Sequence, residues 1–589
     1  MYSTQTQIDY GRLQAPREDR AALVEPPLEE VAELVGENLH DRERLHDYDL
    51  QGRWLADVSL QARAELLTAA RRWTAAYRNI KGDSPIFAET KIGTVPSPEL
   101  PDPSGLIYLA GHQPQMFHPG VWFKNFVLGV VARRDGATAI NLIIDGDTFS
   151  DAALRVPGGS VDQPRFVQVP FDSPDACIPY EERRIEDREL FASFGHRAIE
   201  QMSPLVADPL LRQYWPMVLA RSRDSDNLGA CLVQARHQLE ASWGLETLEV
   251  PQSWMCRGEA FQWFVAHLLV ALPEFRKAYN ESLHEYRQRH RVRSRHHPAP
   301  DLIEEGAWNE APFWVWTAEN PRRRRLFIQA TADETLLSDR QAWQARLSLS
   351  PEGDAAKAVD QLIELQRGGV RIRPRALITT LWARLALGNL FIHGIGGAKY
   401  DCVTDRLIER FFGLAAPRFL VVSATLHLPI PRRRATPDDV RTIQHELRAM
   451  TYQPERFLME ESVPLLRRSS ANARSGAACQ QAVAHGAGQC GPTSGANPEA
   501  TSLIAEKRRW IATPQTAQNA RERCRAIRRI NTALQPWLDN RREQLAARLA
   551  QTSRCLQAES VLAWREYAFC LYPESALRGF LSALLHRTV

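Results

Sequence analysis

Two histidines, a lysine and two aspartates fall within one run of the chain, LIYLAGHQPQMFHPGVWFKNFVLGVVARRDGATAINLIIDGDTF, in an order that suits anion chemistry. His112 and His118 share a Gly/His/Pro loop, with Gly111 and Gln113 flanking the first. An apolar run precedes the loop and a helix-length segment follows it, so the loop belongs at the carboxyl end of a strand, where a helix begins. Free backbone N–H groups and the positive end of the helix dipole would there face a crevice and attract an anion. Histidines at such a place can donate hydrogen bonds to a phosphate or to charge developing in a transition state, and Lys124 in the following helix would neutralise it. Asp145 and Asp147 close the next strand, where they could hold a ribose, an amine or Mg2+. Plain turn residues and a snorkelling lysine are the structural alternative, but convergence on one sheet edge favours a site.

A second segment, GNLFIHGIGGAKYDCVTDRLIERFF, has the same logic. Gly394, Gly396 and Gly397 allow close backbone approach, Lys399 and Tyr400 follow in the predicted loop, and Asp401 or Thr404 could cap the next helix. Neither the Walker A pattern nor G-x-G-x-x-G is present, so P-loop chemistry is not expected. The strand in PRFLVVSATLHLP ends in Ser423 and Thr425, hydroxyls that could face the same crevice. Glu310, Trp314 and Trp316 could wall the pocket, although aromatic strand residues are more often core. The arginines at 322–325 read as surface charge in or beside a hairpin turn. No zinc site is expected: His284 and His290 lack i, i+4 spacing, and Cys479, His485 and Cys490 form no ligand pairs.

The elements that must position these residues alternate along the chain. Residues 1–100 read as helical and end in the proline-rich VPSPELPDPSG. Residues 101–170 read as the first half of an α/β core, with strands at Leu106–Ala110 and Thr138–Ile144 around a helix at Gly120–Arg133. A mainly helical insertion fills 171–305, clearest in Gly258–Arg291. Residues 306–430 hold a hairpin (PFWVW, RRLFIQA) and the second half of the core. That half runs helix Arg375–Leu387, strand Asn389–His393, helix Cys402–Phe412 and strand Arg418–Ala424. The rest, 431–589, reads as a helical or coiled-coil arm, notably at Ala517–Gln557, interrupted by a small, polar linker at 469–500 that is expected to be disordered. The fold class is thus α/β, a parallel-sheet core built from two separated segments.

Composition agrees. The chain's 589 residues suggest three or four folding units, and 44% hydrophobic with 24% charged residues is a soluble, globular balance. The 73 basic and 70 acidic residues leave little net charge, which speaks against nucleic acid as a partner. Lysine supplies only seven of those bases, so Lys124 and Lys399 are exceptions to an arginine rule. No window is apolar enough to span a membrane, and the start lacks a signal-peptide pattern. Nine cysteines without a C-x-x-C pair fit reduced thiols and a cytoplasmic location.

The two segments together resemble the bacillithiol-biosynthesis cysteine-adding enzymes, a cysteine ligase family. That family's G-Q-Q loop corresponds to Gly111-His112-Gln113, its Phe-Gly-Gly stretch to Phe117-His118-Pro119-Gly120, and its helical lysine to Lys124. Its Glu-Asp-His-Asp strand end corresponds to Asp145-Gly146-Asp147, and its G-P-G-E-I-A-Y loop to Gly394 through Tyr400. Glycine stands at Gly146 where the family has histidine, and at Gly397 where it has glutamate. The resemblance implies a Rossmann-like core of nucleotidyltransferase type with a coiled-coil arm. It further implies ligation or group transfer on a small anionic substrate containing a sugar or nucleotide. ATP or ADP with Mg2+ are the cofactor candidates. The alternative is a non-catalytic binding or assembly protein that keeps the crevice and forms a homodimer through the arm. The HQP-x-x-x-x-P start of the first loop is also similar to the WbqC-like proteins of polysaccharide gene clusters.

Overall fold

The computed structural model describes residues 13–78, 102–432, 435–460 and 497–588, apart from 175–176, 295, 332–333 and 352. It divides into two units: Met1–Ser160, Arg165–Ile430 and Ala563–Val589 form the first, and Val161–Pro164 with Pro431–Leu562 form the second.

In chain order the described strands begin with β1 (Ala21–Glu25), β2 (Ile107–His112), β3 (Thr138–Ile143), β4 (Ala153–Gly159), β5 (Pro164–Pro170), β6 (Leu248–Pro251) and β7 (Glu304–Glu305). They continue with β8 (Trp308–Thr317), β9 (Arg324–Ala330), β10 (Thr335–Ser338), β11 (Gln344–Leu347), β12 (Val370–Pro374), β13 (Leu390–His393) and β14 (Leu420–Thr425). The central sheet has the order β1-β14-β13-β2-β3-β6. All its neighbours are parallel except β1, which runs antiparallel to β14 on the edge. Parallel strands are covered on both faces, which is why Ile107–Ala110 and Leu420–Thr425 are buried throughout.

Helix Pro119–Asp135 crosses from β2 to β3, and helix Ile395–Leu407 crosses from β13 to β14. From β2 the chain moves outward through β3 to β6, whereas from β13 it moves the other way to β14. The order therefore reverses between β2 and β13, the place in an open parallel sheet where a crevice forms beyond the carboxyl ends. Asn389, at the entrance to β13, ties the two strands together: its Oδ1 accepts from the Ile107 N–H (2.9 Å) and from Arg63 of helix Leu55–Ala75 (3.2 Å).

Several elements differ from expectation. The region read as helical contributes β1, and the helical insertion contributes β6. Both are too short for periodicity to reveal, and β6 ends in proline. The expected hairpin is β8–β9, but it belongs to a larger antiparallel sheet, β11-β10-β9-β8-β12, with β7 paired to β8. Its Phe313, Val315 and Leu326 share a core with Phe275, Tyr279 and Trp382. The helix expected at Cys402 begins at Ile395, so Gly396, Gly397, Lys399 and Tyr400 are helical rather than looped. Glycine disfavours helix interiors, but Gly394 is the N-cap in an extended conformation and the glycines after it occupy only the first turn.

The arm expected at 431–589 is shorter. Residues 563–589 return to the first unit, where the Phe569 N–H donates to the Phe117 carbonyl (2.8 Å) and its ring lies 4.5 Å from Trp122. The second unit is helical, and Ala517–Gln557 forms two helices, Ala520–Ala533 and Asp539–Leu562, separated at Pro536 by the turn Gln535–Leu538. Most of the linker, 469–496, lies outside the described residues, while Pro498–Ala512 is a helix. No described helix is long and apolar enough to cross a membrane.

Candidate functional site

Leu390, Phe391 and Ile392 of β13 register with Tyr108, Leu109 and Ala110 of β2, so Gly111-His112 and His393-Gly394 leave the sheet side by side. The sheet thereby brings the two sequence segments to one crevice.

On the β2 side most polar groups are already engaged. His112 Nδ1 lies 3.1 Å from the Gln113 carbonyl, which can only accept, so the proton sits on Nδ1 and Nε2 keeps a lone pair. Burial, reinforced by Lys124, pushes the His112 pKa down to about 3. His118 caps the Pro119–Asp135 helix by accepting from the Gly120 N–H through Nδ1 (3.1 Å), which leaves its proton on Nε2. Burial, with Arg565 nearby, pushes His118 down to about 4. The Val121 and Trp122 N–H groups both donate to the His118 carbonyl, so this helix start offers no free N–H, contrary to expectation. Lys124 is also displaced from its expected role. It is 3% exposed, donates from Nζ to the Gly111 carbonyl (2.5 Å), and burial lowers its pKa to about 7. It lies beneath the crevice, where its charge acts on both His112 and His393.

The expected aspartates serve different partners. Asp145 accepts from the Ser253 N–H (2.9 Å) and hydroxyl (2.5 Å), and burial together with Glu181 raises it to about 7. It lines a cavity of about 260 Å³ at the ends of β3 and β6, with Glu181, Trp254 and Arg257. Asp147 is held by Gln113 Nε2 (3.0 Å) and by Arg323 (3.0 Å), which stacks on Trp314. Arg323 is therefore an internal brace rather than free surface charge. Each aspartate is thus engaged by protein donors, Asp145 by Ser253 and Asp147 by Gln113 and Arg323. Among the described residues, only His237, Glu240 and Glu249 bring three metal-ligating atoms within 4.8 Å. Arg236 donates to both of those carboxylates, which makes the group a buried ion network. Glu310 pairs with Arg375 (2.5 Å), Trp314 lies under Arg375, and Trp316 donates to Glu182 (3.2 Å), so these three brace the second sheet.

The β13 side is open. Gly394 gives no side-chain cap to helix Ile395–Leu407, and the Ala398 N–H bonds the Gly394 carbonyl. The N–H groups of Ile395, Gly396 and Gly397 have no acceptor among the described residues. Lys399, half-buried in the same stretch, has no ion pair or hydrogen bond among the described residues. Tyr400 instead packs edge-on against His297, 5.4 Å away. Ser423 shares a strand face with Val421, which packs with Ala398 and Val403 of that helix. Thr425 donates to the Pro16 carbonyl (2.6 Å), so its hydroxyl serves the edge of the sheet rather than the crevice.

No family model and no curated protein matches the chain.

One residue at the crevice escaped the sequence reading. His393, the last residue of β13, has Nε2 2.7 Å from Asp401 Oδ2. Asp401 is not a helix cap; it also accepts from Arg384 (2.7 Å) and Thr380 (2.6 Å). Burial works against its charge, but Arg384 and His393 outweigh it and hold the carboxyl well below its ordinary range. A histidine closing an apolar strand just before a glycine run was the available signal, because strand carboxyl ends are where such sheets bind ligands. Gly111, His112, Gly394, Gly396, Gly397, Lys399 and His393 thus converge, with Asp147 tied to the same loop through Gln113, while Asp145, Tyr400 and Thr425 are engaged by Ser253, His297 and Pro16.

Proposed function

We propose that the chain is a ligase- or group-transferase-like enzyme acting on a small anionic substrate that contains a sugar or nucleotide, on a Rossmann-like core of nucleotidyltransferase type. The observation that carries this reading is the uncapped start of helix Ile395–Leu407 at the strand-order reversal. Three backbone N–H groups and Lys399, all without a partner among the described residues, supply an anion with directed donors and a positive field. The reaction class rests on the resemblance to the cysteine ligases of bacillithiol synthesis. A cytoplasmic setting suits the seven described cysteines, which are all free thiols.

The test is a thermal-shift titration with ATP, ADP and sugar nucleotides, with and without Mg2+, on the wild type and on Lys399→Ala. A ligand at 100 times its dissociation constant stabilises the native state by about 2.7 kcal/mol. The expected result is a shift with one class of phosphorylated ligand that is much reduced in Lys399→Ala. A wild type indifferent to every ligand, or a variant that responds like it, overturns the reading.

A further inference from the structure

Beside the donors of this crevice stands an acceptor that is held in place from behind, His393 Nδ1. We propose that His393 determines the specificity of the crevice, its Nδ1 accepting a hydrogen bond from a hydroxyl or amine N–H carried one or two atoms from the anionic group of the substrate. The proposal rests on the anion site described above and goes further by naming what must stand next to the anion.

Several observations support it. The Asp401 carboxylate, itself fixed by Arg384 and Thr380, holds the proton on His393 Nε2 and leaves a lone pair on Nδ1. His393 is only 4% exposed and its Nδ1 makes no hydrogen bond among the described residues, so the one ring nitrogen left unbonded is open to a ligand. It points toward Gly397, where a Cβ would stand 2.8 Å from it, so the missing side chain keeps Nδ1 uncovered at the turn that carries the free N–H groups. The rings of Phe391 and Phe419, 4.5 and 4.8 Å away, fix the imidazole plane. Burial keeps the ring below its ordinary pKa despite Asp401, and the nearby Arg384 and Lys124 charges act in the same direction, so it stays a neutral acceptor. An anion that fills the crevice without a neighbouring donor would displace water from that lone pair and give it no partner in return.

The experiment compares glycerol 3-phosphate with propyl phosphate, the same three-carbon phosphate without hydroxyls, by titration calorimetry on the full chain. The expected result is a preference of roughly five- to tenfold for glycerol 3-phosphate, the worth of one neutral hydrogen bond. His393→Gln keeps an amide donor for Asp401 but has no acceptor at the Nδ1 position, and Gly397→Ala covers Nδ1 with a methyl group. Each should abolish the preference while still binding phosphate. Equal binding of both compounds by the wild type overturns the proposal and leaves the anion site standing. Binding of neither compound overturns both. A preference that persists in either folded variant overturns the role of His393 alone.

Discussion

A Cβ built on Gly397 would lie 2.8 Å from His393 Nδ1. The same distance separates a Cβ on Gly146 from Gln252 Oε1, and Gln252 is anchored by its bond to Thr379 (2.6 Å). These are the two positions at which the resembled ligases carry glutamate and histidine. In this chain their space is filled from neighbouring elements, by a histidine ending β13 and by the glutamine that follows β6.

The first prediction follows from that crowding. Gly397→Glu and Gly146→His, which would restore the residues of the resembled family, should each destabilise the protein by roughly 1–3 kcal/mol, because the facing groups are held by hydrogen bonds and cannot yield cheaply. Urea denaturation of the two variants checks it, and wild-type midpoints would show that the space is available after all.

Buried histidines set an acid limit. Burial places His112 at about 3 and His118 and His267 at about 4, against an ordinary value of 6.5. As pH falls below 6.5 the unfolded chain binds protons that the native state refuses, so this contribution is complete above that pH and is lost progressively toward 4. These three groups should therefore press the melting temperature down from pH 7 to 4.5, against the opposite contribution of Asp145. His267, bonded to Tyr48 (3.0 Å) away from the crevice, tests the cause, because His267→Gln should make the decline shallower.

Lys124 works in the opposite part of the scale. Burial lowers it from 10.5 to about 7, so between those values the unfolded chain keeps a proton that the native state has released, and stability from this group rises with pH. Lys124→Met removes that dependence. Its stability relative to wild type should be most favourable near pH 7 and decline toward pH 10, as chemical denaturation at several pH values will measure.

Strands β2, β3, β13 and β14 were legible because doubly covered parallel strands read as unbroken apolar runs, and the crossover helices between them have ordinary length. Strands β1 and β6 were not, since short segments show no period and only pairing reveals them. Among site residues, the meeting of His112 with the Gly394 helix follows from the sheet. The diversion of Asp147 to Arg323, 176 residues away, and of Thr425 to Pro16, 409 residues away, depends on tertiary contacts that no local spacing encodes. His393 and Asp401 stand only eight apart, but the pair is hidden in the sequence because Asp401, like Thr404, suits a helix cap and the glycines between them suit a loop.

The last prediction concerns the acidic pair beside the crevice. Arg373, 1% exposed in β12, donates to Glu181 at 3.0 Å, and Glu181 in turn helps raise Asp145 to about 7, second to burial. Between 3.8 and 7 native Asp145 keeps a proton that the unfolded chain loses, so its cost to stability grows as pH rises through that window. Arg373→Met leaves both carboxyls buried with only Arg257 as counter-charge, which should cost about 3 kcal/mol at pH 8. At pH 5.5, where Asp145 is protonated, the loss should be distinctly smaller. Urea titrations of wild type and variant at the two pH values measure the difference. An equal loss at both would show that Arg373 acts through packing on Trp316, 5.8 Å from its guanidinium, rather than through the charge of the pair.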